Sequence, residues 1–201
     1  TGATDAQIAA WLADVLTKGL ARVKGDIAIC LPGGSTPFPI LAELARFPLD
    51  WARIVVWPGD DRIVDESHSA SNVGRMRAVL EPLGARIRPL ARDAVPPHFA
   101  LVWLGMGEDG HIASLFPNSN PQVDDPMPMR RLTPDPLPVE APFDRLSLTI
   151  PALLDCDALM FVMRGAVKQR IFAAAVAGEN DLPVARLLAA ARQPIAVFAG
   201  G

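Results

Sequence analysis

The sequence predicts a three-layer α/β/α fold on a mostly parallel, Rossmann-like sheet, and three observations predict it. Short, continuously apolar runs recur along the chain, as expected of strands buried on both faces. Between them, apolar residues fall at three- and four-residue spacing, the helical period. Glycine-rich turns follow several of the apolar runs, where an open α/β sheet carries its ligand loops. The chain has 201 residues, half of them hydrophobic, enough to bury one core, and residues 1–201 are read as a single domain.

In order along the chain, Ile8, Trp11, Leu12, Val15, Leu16 and Leu20 give the first helix its apolar stripe. Gly25 breaks it, and Asp26–Leu31 reads as a buried strand. The turn Pro32-Gly-Gly-Ser-Thr-Pro37 leads into a helix over Ile40–Arg46. Arg53–Trp57 is a second strand, followed by a polar loop over Pro58–Ala70. Ser71 is placed to cap a helix running to about Leu83. Phe99–Leu104, Arg145–Ile150, Ala158–Met163 and Ile195–Ala199 read as further strands. Helices are expected over Val167–Ala177 and Pro183–Ala190. A parallel arrangement would set the Gly33–Pro37, Pro58–Ala70, Gly105–His111 and Met163–Lys168 turns along one rim.

Composition excludes several functions. A formal net charge of −3 gives no global electrostatic reason to bind nucleic acid. The longest apolar stretches, about five to seven residues, are too short to span a bilayer. No charged segment followed by an apolar one opens the chain, so no signal peptide is expected, and the threonine at position 1 leaves room for residues before it. Cys30 and Cys156 sit in apolar runs and are read as buried thiols of a reducing cytoplasm. The three histidines, His68, His98 and His111, have no metal-ligand spacing, and no Cys-x-x-Cys occurs, so no zinc is expected. Gly-x-Ser-x-Gly is also missing, which removes a serine-hydrolase elbow.

Five segments could carry chemistry. Gly33-Gly34-Ser35-Thr36 joins a strand to a helix, either as an anion site of backbone N–H groups and hydroxyls or as a plain turn with a Ser/Thr cap. It matches neither the Walker A nor the Gly-x-Gly-x-x-Gly pattern. Gly59-Asp60-Asp61-Arg62 offers a guanidinium for a phosphate or carboxylate, or is a solvated charged loop. Gly105-Met-Gly-Glu-Asp-Gly-His-Ile-Ala-Ser-Leu-Phe-Pro117 is the most informative. An imidazole suits proton transfer near neutral pH, so His111 can take a proton from water, with Asp109 fixing the tautomer or holding sugar hydroxyls; otherwise His111 caps or packs a short helix over Ile112–Phe116. Lys168 in Arg164-Gly-Ala-Val-Lys168 sits at the start of a helix, where the dipole disfavours a cation. Arg186 in Leu182-Pro-Val-Ala-Arg186 adds another cation, and each of these two is either an anion contact or a solvated side chain. Several cations and a hydroxyl-bearing turn beside a histidine–aspartate pair suit a small phosphorylated metabolite undergoing water attack or proton transfer.

These segments together resemble the glucosamine-6-phosphate isomerase/6-phosphogluconolactonase family. The resemblance rests on Leu31-Pro-Gly-Gly-Ser-Thr-Pro37, Trp57-Pro-Gly-Asp-Asp-Arg62 with Ser71-Asn72, the stretch Leu104–Pro117, Arg145-Leu-Ser-Leu-Thr-Ile-Pro-Ala-Leu153, Gly165–Lys168 and Leu182–Arg186. They run in the family's order over roughly residues 8–199. The resemblance implies a fold shared with glucosamine-6-phosphate deaminase and ribose-5-phosphate isomerase-like sheets. It also implies hydrolysis of 6-phospho-D-glucono-1,5-lactone to 6-phosphogluconate, in the oxidative pentose phosphate route. His111 would be the general base and Asp109 its orienting partner. Gly34, Ser35, Thr36, Arg62, Lys168 and Arg186 would hold the phosphate or steady the developing oxyanion. No metal or organic cofactor is implied; the partner would be the sugar lactone alone, and the chain a monomer or homodimer in the cytoplasm.

The deaminases of this family continue Asp-Gly-His-Ile-Ala with Phe-Asn-Glu-Pro, whereas here Ser114-Leu-Phe-Pro117 follows. The glutamate of the deaminase reaction is missing, which favours the lactonase. The alternatives are an isomerase or deaminase of the same fold, or a non-catalytic sugar-phosphate sensor. Three departures from the family stand out: Pro58 before Gly59, Asp61 where Glu is usual, and a short stretch between Leu83 and Phe99 where an extra helix is usual. Finally, eight of the twenty prolines fall in 117–142. That stretch is expected to form an extended, relatively rigid flap near the mouth of the site.

Overall fold

The computed structural model describes residues 2–139 and 141–200; residues 1 and 201 of the expected domain and residue 140 of the expected flap lie outside them. Helix α1 (Asp5–Arg22) starts at a capping box, in which the Thr4 hydroxyl accepts from the Gln7 N–H and the Gln7 side chain accepts from the Thr4 N–H. Strand β1 (Ile27–Leu31) follows. Helix α2 (Pro37–Leu44) opens three residues earlier than its apolar period suggests, because prolines are tolerated in a first turn whose N–H groups have no helical partner. Next come β2 (Ile54–Pro58), β3 (Asp60–Arg62), α3 (Asn72–Leu80), β4 (Arg86–Ile87) and β5 (Leu101–Leu104). The remainder is β6 (Met129–Leu132), β7 (Arg145–Leu148), α4 (Ile150–Leu154), β8 (Leu159–Arg164), α5 (Ala166–Val176), α6 (Pro183–Ala190) and β9 (Ile195–Gly200).

The main sheet has six strands in the order β4-β2-β1-β5-β8-β9, all parallel. Alternate residues of its strands sort into two cores. Ile29, Leu31, Ile54, Val56, Leu101 and Trp103 face the side covered by α1, α2 and α3. Cys30, Trp57, Val102, Leu104, Leu159 and Phe161 face the side of α4, α5 and α6. A period of two on strands covered on both faces is what the continuous apolar runs required.

Four details differ from the sequence-based expectation. Arg145–Leu148 is not a strand of the main sheet: it is the middle strand of a second, antiparallel sheet, β3-β7-β6. The extended run also ends before the expected Ile150, because α4 starts there, with Pro151 tolerated in its first turn. The Pro58–Ala70 loop contributes β3 to that sheet, and the proline-rich stretch contributes β6. The prolines still keep 117–142 free of α-helix among its described residues; it holds one short 3-10 turn at Pro117–Ser119 and the strand β6. No helix forms over Ile112–Phe116. There the chain turns tightly, with Ala113 at φ 49° and short bridges joining Ile112 to Met106 and to Leu115.

Candidate active site

Sheet order decides which loops meet. Because β2, β1, β5 and β8 are neighbours in that order, the turns leaving their C-terminal ends lie side by side. The antiparallel sheet leans against this rim and closes one wall. The result is a cavity of about 520 Å³ lined by Gly34, Ser35, Thr36, Arg62, His111 and Lys168, together with Asp60, Asn72, Ser114 and Arg145. Pro138 and Ala141 of the proline-rich stretch reach its wall, so that stretch does border the mouth.

The histidine is held by its own loop. Asp109 Oδ1 lies 2.6 Å from His111 Nδ1 and also accepts from the His111 backbone N–H at 3.2 Å. The bond assigns the Nδ1 hydrogen toward the carboxylate, leaving Nε2 as the basic nitrogen. The hydrogen bond to His111 holds the Asp109 carboxyl below its ordinary value, against the opposing effect of burial. Phe116 packs on the other side of the imidazole, with ring centroids 4.8 Å apart. This approach needs glycine at 107, where a Cβ would stand 2.2 Å from His111 Nδ1. Gly110 adopts φ 76°, and a Cβ there would press into Leu182.

A network of neutral and acidic groups braces the opposite wall. Along β3, Asp60 and Arg62 share the cavity face and Asp61 points away. Asp61 accepts from the backbone N–H groups of Asn72, Val73 and Arg62 at 2.7, 3.0 and 2.8 Å, so it caps the start of α3 together with Ser71. Burial pushes the Asp61 carboxyl up, and those N–H bonds partly reverse the shift. Of the two readings of this segment, the solvated charged loop does not describe Asp61, which is a buried joint. Asn72 donates to the Asp60 carbonyl at 2.8 Å and accepts from Arg62 at 3.1 Å. Ser114 ties the histidine loop to this wall: its hydroxyl donates to the Asp60 carboxylate and its N–H to Ser147 Oγ at 3.1 Å.

The glycine turn opens onto the same cavity. Thr36 stands at the cap position of α2 yet makes no side-chain capping bond, and both its hydroxyl and that of Ser35 border the cavity. Lys168 reaches the same space from the first turn of α5. Arg186 does not. Its guanidinium binds the Asp181 carboxylate through both Nε (2.9 Å) and Nη2 (2.6 Å), and Nη1 donates to Asn120 and the Pro121 carbonyl. It lines a separate, more apolar groove between α5 and α6. The bidentate pair accounts for its position: α6 turns this side chain toward the proline-rich stretch and away from the rim. Sequence reasoning missed Arg145, Asn72, Asp60 and Ser114 as lining residues. Arg145 and Ser147 sit in a run that reads as core strand, and only their alternation with Leu146 and Leu148 hints at a polar face.

The glucosamine-6-phosphate isomerases/6-phosphogluconolactonase family profile matches residues 3–83 and 81–196. The fold and the site thus define a sugar-phosphate enzyme class, and the chain belongs to that family. Within it, the chain is 32% identical over 215 residues to the 6-phosphogluconolactonase of Mesorhizobium japonicum, covering 95% of this chain and 88% of the relative. It is 35% identical over 207 residues to that of Pseudomonas aeruginosa, covering 91% and 86%. The crystal structure of a 6-phosphogluconolactonase from Shewanella baltica superposes with a TM-score of 0.80 over 98% of this chain and 93% of the other, at 23% identity.

Proposed function

We propose that the chain hydrolyses 6-phospho-D-glucono-1,5-lactone to 6-phospho-D-gluconate. The observation that carries this reading is the His111–Asp109 pair opening onto a cavity lined by Arg62, Lys168 and Arg145, in a chain whose relatives are 6-phosphogluconolactonases. Water held at His111 Nε2 loses a proton to the imidazole as its oxygen bonds to the lactone carbonyl carbon. The carbonyl π pair moves onto oxygen, where nearby cations stabilise the charge. Collapse then restores the C=O and breaks the bond to the ring oxygen, which takes the proton from His111. Asp109 stays anionic throughout and balances the imidazolium in between. The acid formed ionises to the carboxylate of the product.

The competing deaminase reading is disfavoured at one position. Phe116 occupies the place of the glutamate in the Phe-Asn-Glu-Pro continuation and packs on the His111 ring. An apolar ring there supplies neither an acid nor a base. We further place the reaction in the cytoplasm, on the strength of two free, buried thiols, Cys30 and Cys156. Burial pushes Cys156 up to about 12, so it is a packing group.

The test generates the lactone in situ with glucose-6-phosphate dehydrogenase and follows its loss above the spontaneous rate. Acceleration by the wild-type chain is expected, and its absence would sink the lactonase reading. His111→Ala should lower kcat by about 10²–10⁴-fold; full retention of rate would remove His111 from the mechanism and leave the activity standing.

A further inference from the structure

The antiparallel sheet contains a rung with two like charges. Arg62 on β3 stands directly across from Arg145 on β7, a pairing that destabilises a ladder when nothing lies between the charges. Both side chains border the catalytic cavity. Among the described residues their hydrogen-bond acceptors are all neutral: Ala70 O and Asn72 Oδ1 for Arg62, Ala141 O for Arg145. Among the described residues, neither forms an ion pair with a carboxylate. Arg145 is only 4% exposed, and the Nε of each guanidinium is buried with no partner among the described residues. A third arginine, Arg75, is held below its ordinary value by burial and then by the charge of Arg62. A buried guanidinium without a counter-charge costs free energy, and its cheapest complement is an oxyanion that accepts from the fork.

We propose that Arg145 completes, with Arg62 across the ladder, the seat for the substrate's phosphate. The inference rests on the lactonase reading for the identity of the anion and adds a residue to its binding site. Two further placements support phosphate over the reacting carbonyl. Gly33 lies against the Asn72 side chain, and Asn72 accepts from Arg62, so the hydroxyl-bearing turn before α2 adjoins the arginine pair. The rung nearest the histidine loop is Asp60↔Ser147, where Ser114 is tied. The Arg62↔Arg145 rung lies two residues further, about 7 Å along the strand. That offset is comparable to the distance between the C6 phosphate and C1 of a six-membered lactone. A dianion between the two guanidinium groups relieves their repulsion and supplies the negative charge that their neutral acceptors do not.

Purified full-length wild type, Arg145→Gln and Arg145→Lys test the proposal by two routes. In thermal unfolding with added inorganic phosphate, the wild type should gain Tm with phosphate concentration, Arg145→Gln should lose most of that gain, and Arg145→Lys should keep part of it. In the lactonase assay, Arg145→Gln should raise KM about 10- to 100-fold with kcat little changed. A purely structural arginine would lower the starting Tm but leave the phosphate-induced gain intact, and that result overturns the proposal. A loss confined to kcat, with KM and the phosphate gain unchanged, overturns it too, because it moves Arg145 to the developing oxyanion. Should Arg145→Gln fail to fold, the lysine variant decides alone: wild-type KM together with a wild-type phosphate gain refutes the pairing. Absence of lactonase activity in the wild type would strike the functional reading, while the melting series still reports on the arginine pair.

Discussion

At the scale of single residues, the histidine loop is a case where chemistry and backbone are inseparable. His111 and Asp109 meet because Gly107 has no side chain at the point where a Cβ would touch both. Gly107→Ala is therefore expected to abolish most of the lactonase rate, with a much smaller effect on thermal unfolding than on activity. Asp109→Asn should lower kcat less than His111→Ala, since the base remains but loses its tautomer lock and counter-charge; steady-state kinetics on both variants orders them. This pair was legible in the sequence, because glycines after an apolar run advertise a loop that must bend tightly. Arg145 was not. An arginine opening an apolar run gives no sign that its strand leaves the main sheet, and its meaning lies in the residue opposite, 83 positions away in sequence. Asp60 and Asp61 were legible only as a pair of acids. Their division of labour, one toward the cavity and one toward α3, follows from strand geometry that a three-residue strand is too short to announce.

Among the elements, α3 and the edges of β5 and β8 carry separate predictions. Asp61 and Ser71 together satisfy N–H groups at the start of α3, and Asp61 is buried. Asp61→Ala should cost about 2 kcal/mol or more in urea unfolding, from the lost cap and the unsatisfied N–H groups. Ser71, recognisable as a cap from sequence, was the visible half of that joint. On the far side of the sheet from the rim, His98 is clasped between Asp155 (2.6 Å) and Asp157 (3.0 Å), which flank the bridge joining Phe99 to Cys156. The bond to Asp155, then that to Asp157, raises the His98 value above its ordinary 6.5. A raised folded value means that the clasp contributes fully below pH 6.5 and fades as pH climbs through the folded pKa. For so exposed a group the contribution is about 1 kcal/mol or less. His98→Gln should flatten the loss of stability that sets in as pH rises above 6.5, as urea unfolding at a series of pH values would read. At this scale the long helices and the central strands were legible from period and apolar content. Strands β3, β4 and β6, with two to four residues each, were not, because such segments carry too few residues to show a period.

For the molecule as a whole, one sheet supplies the rim and the other a wall, and the expected fold class held because burial on both faces imprints itself on every central strand. The second sheet escaped notice for the opposite reason. It is half polar, assembled from a charged loop, a proline-rich stretch and one strand borrowed from the apolar series. The order of strands also bears on how the molecule is reached from the unfolded chain. Helix α1 and the β1–α2 unit can form from neighbours in sequence, but β1 must wait for β5, whose partner Leu101 lies 72 residues beyond Ile29. The catalytic constellation draws on residues from Gly34 to Lys168 and exists only after that long crossing. Parallel pairings between distant segments are slow to close. During refolding from urea, far-ultraviolet ellipticity should return first and hydrolytic competence last, making turnover a stopwatch for the final docking event.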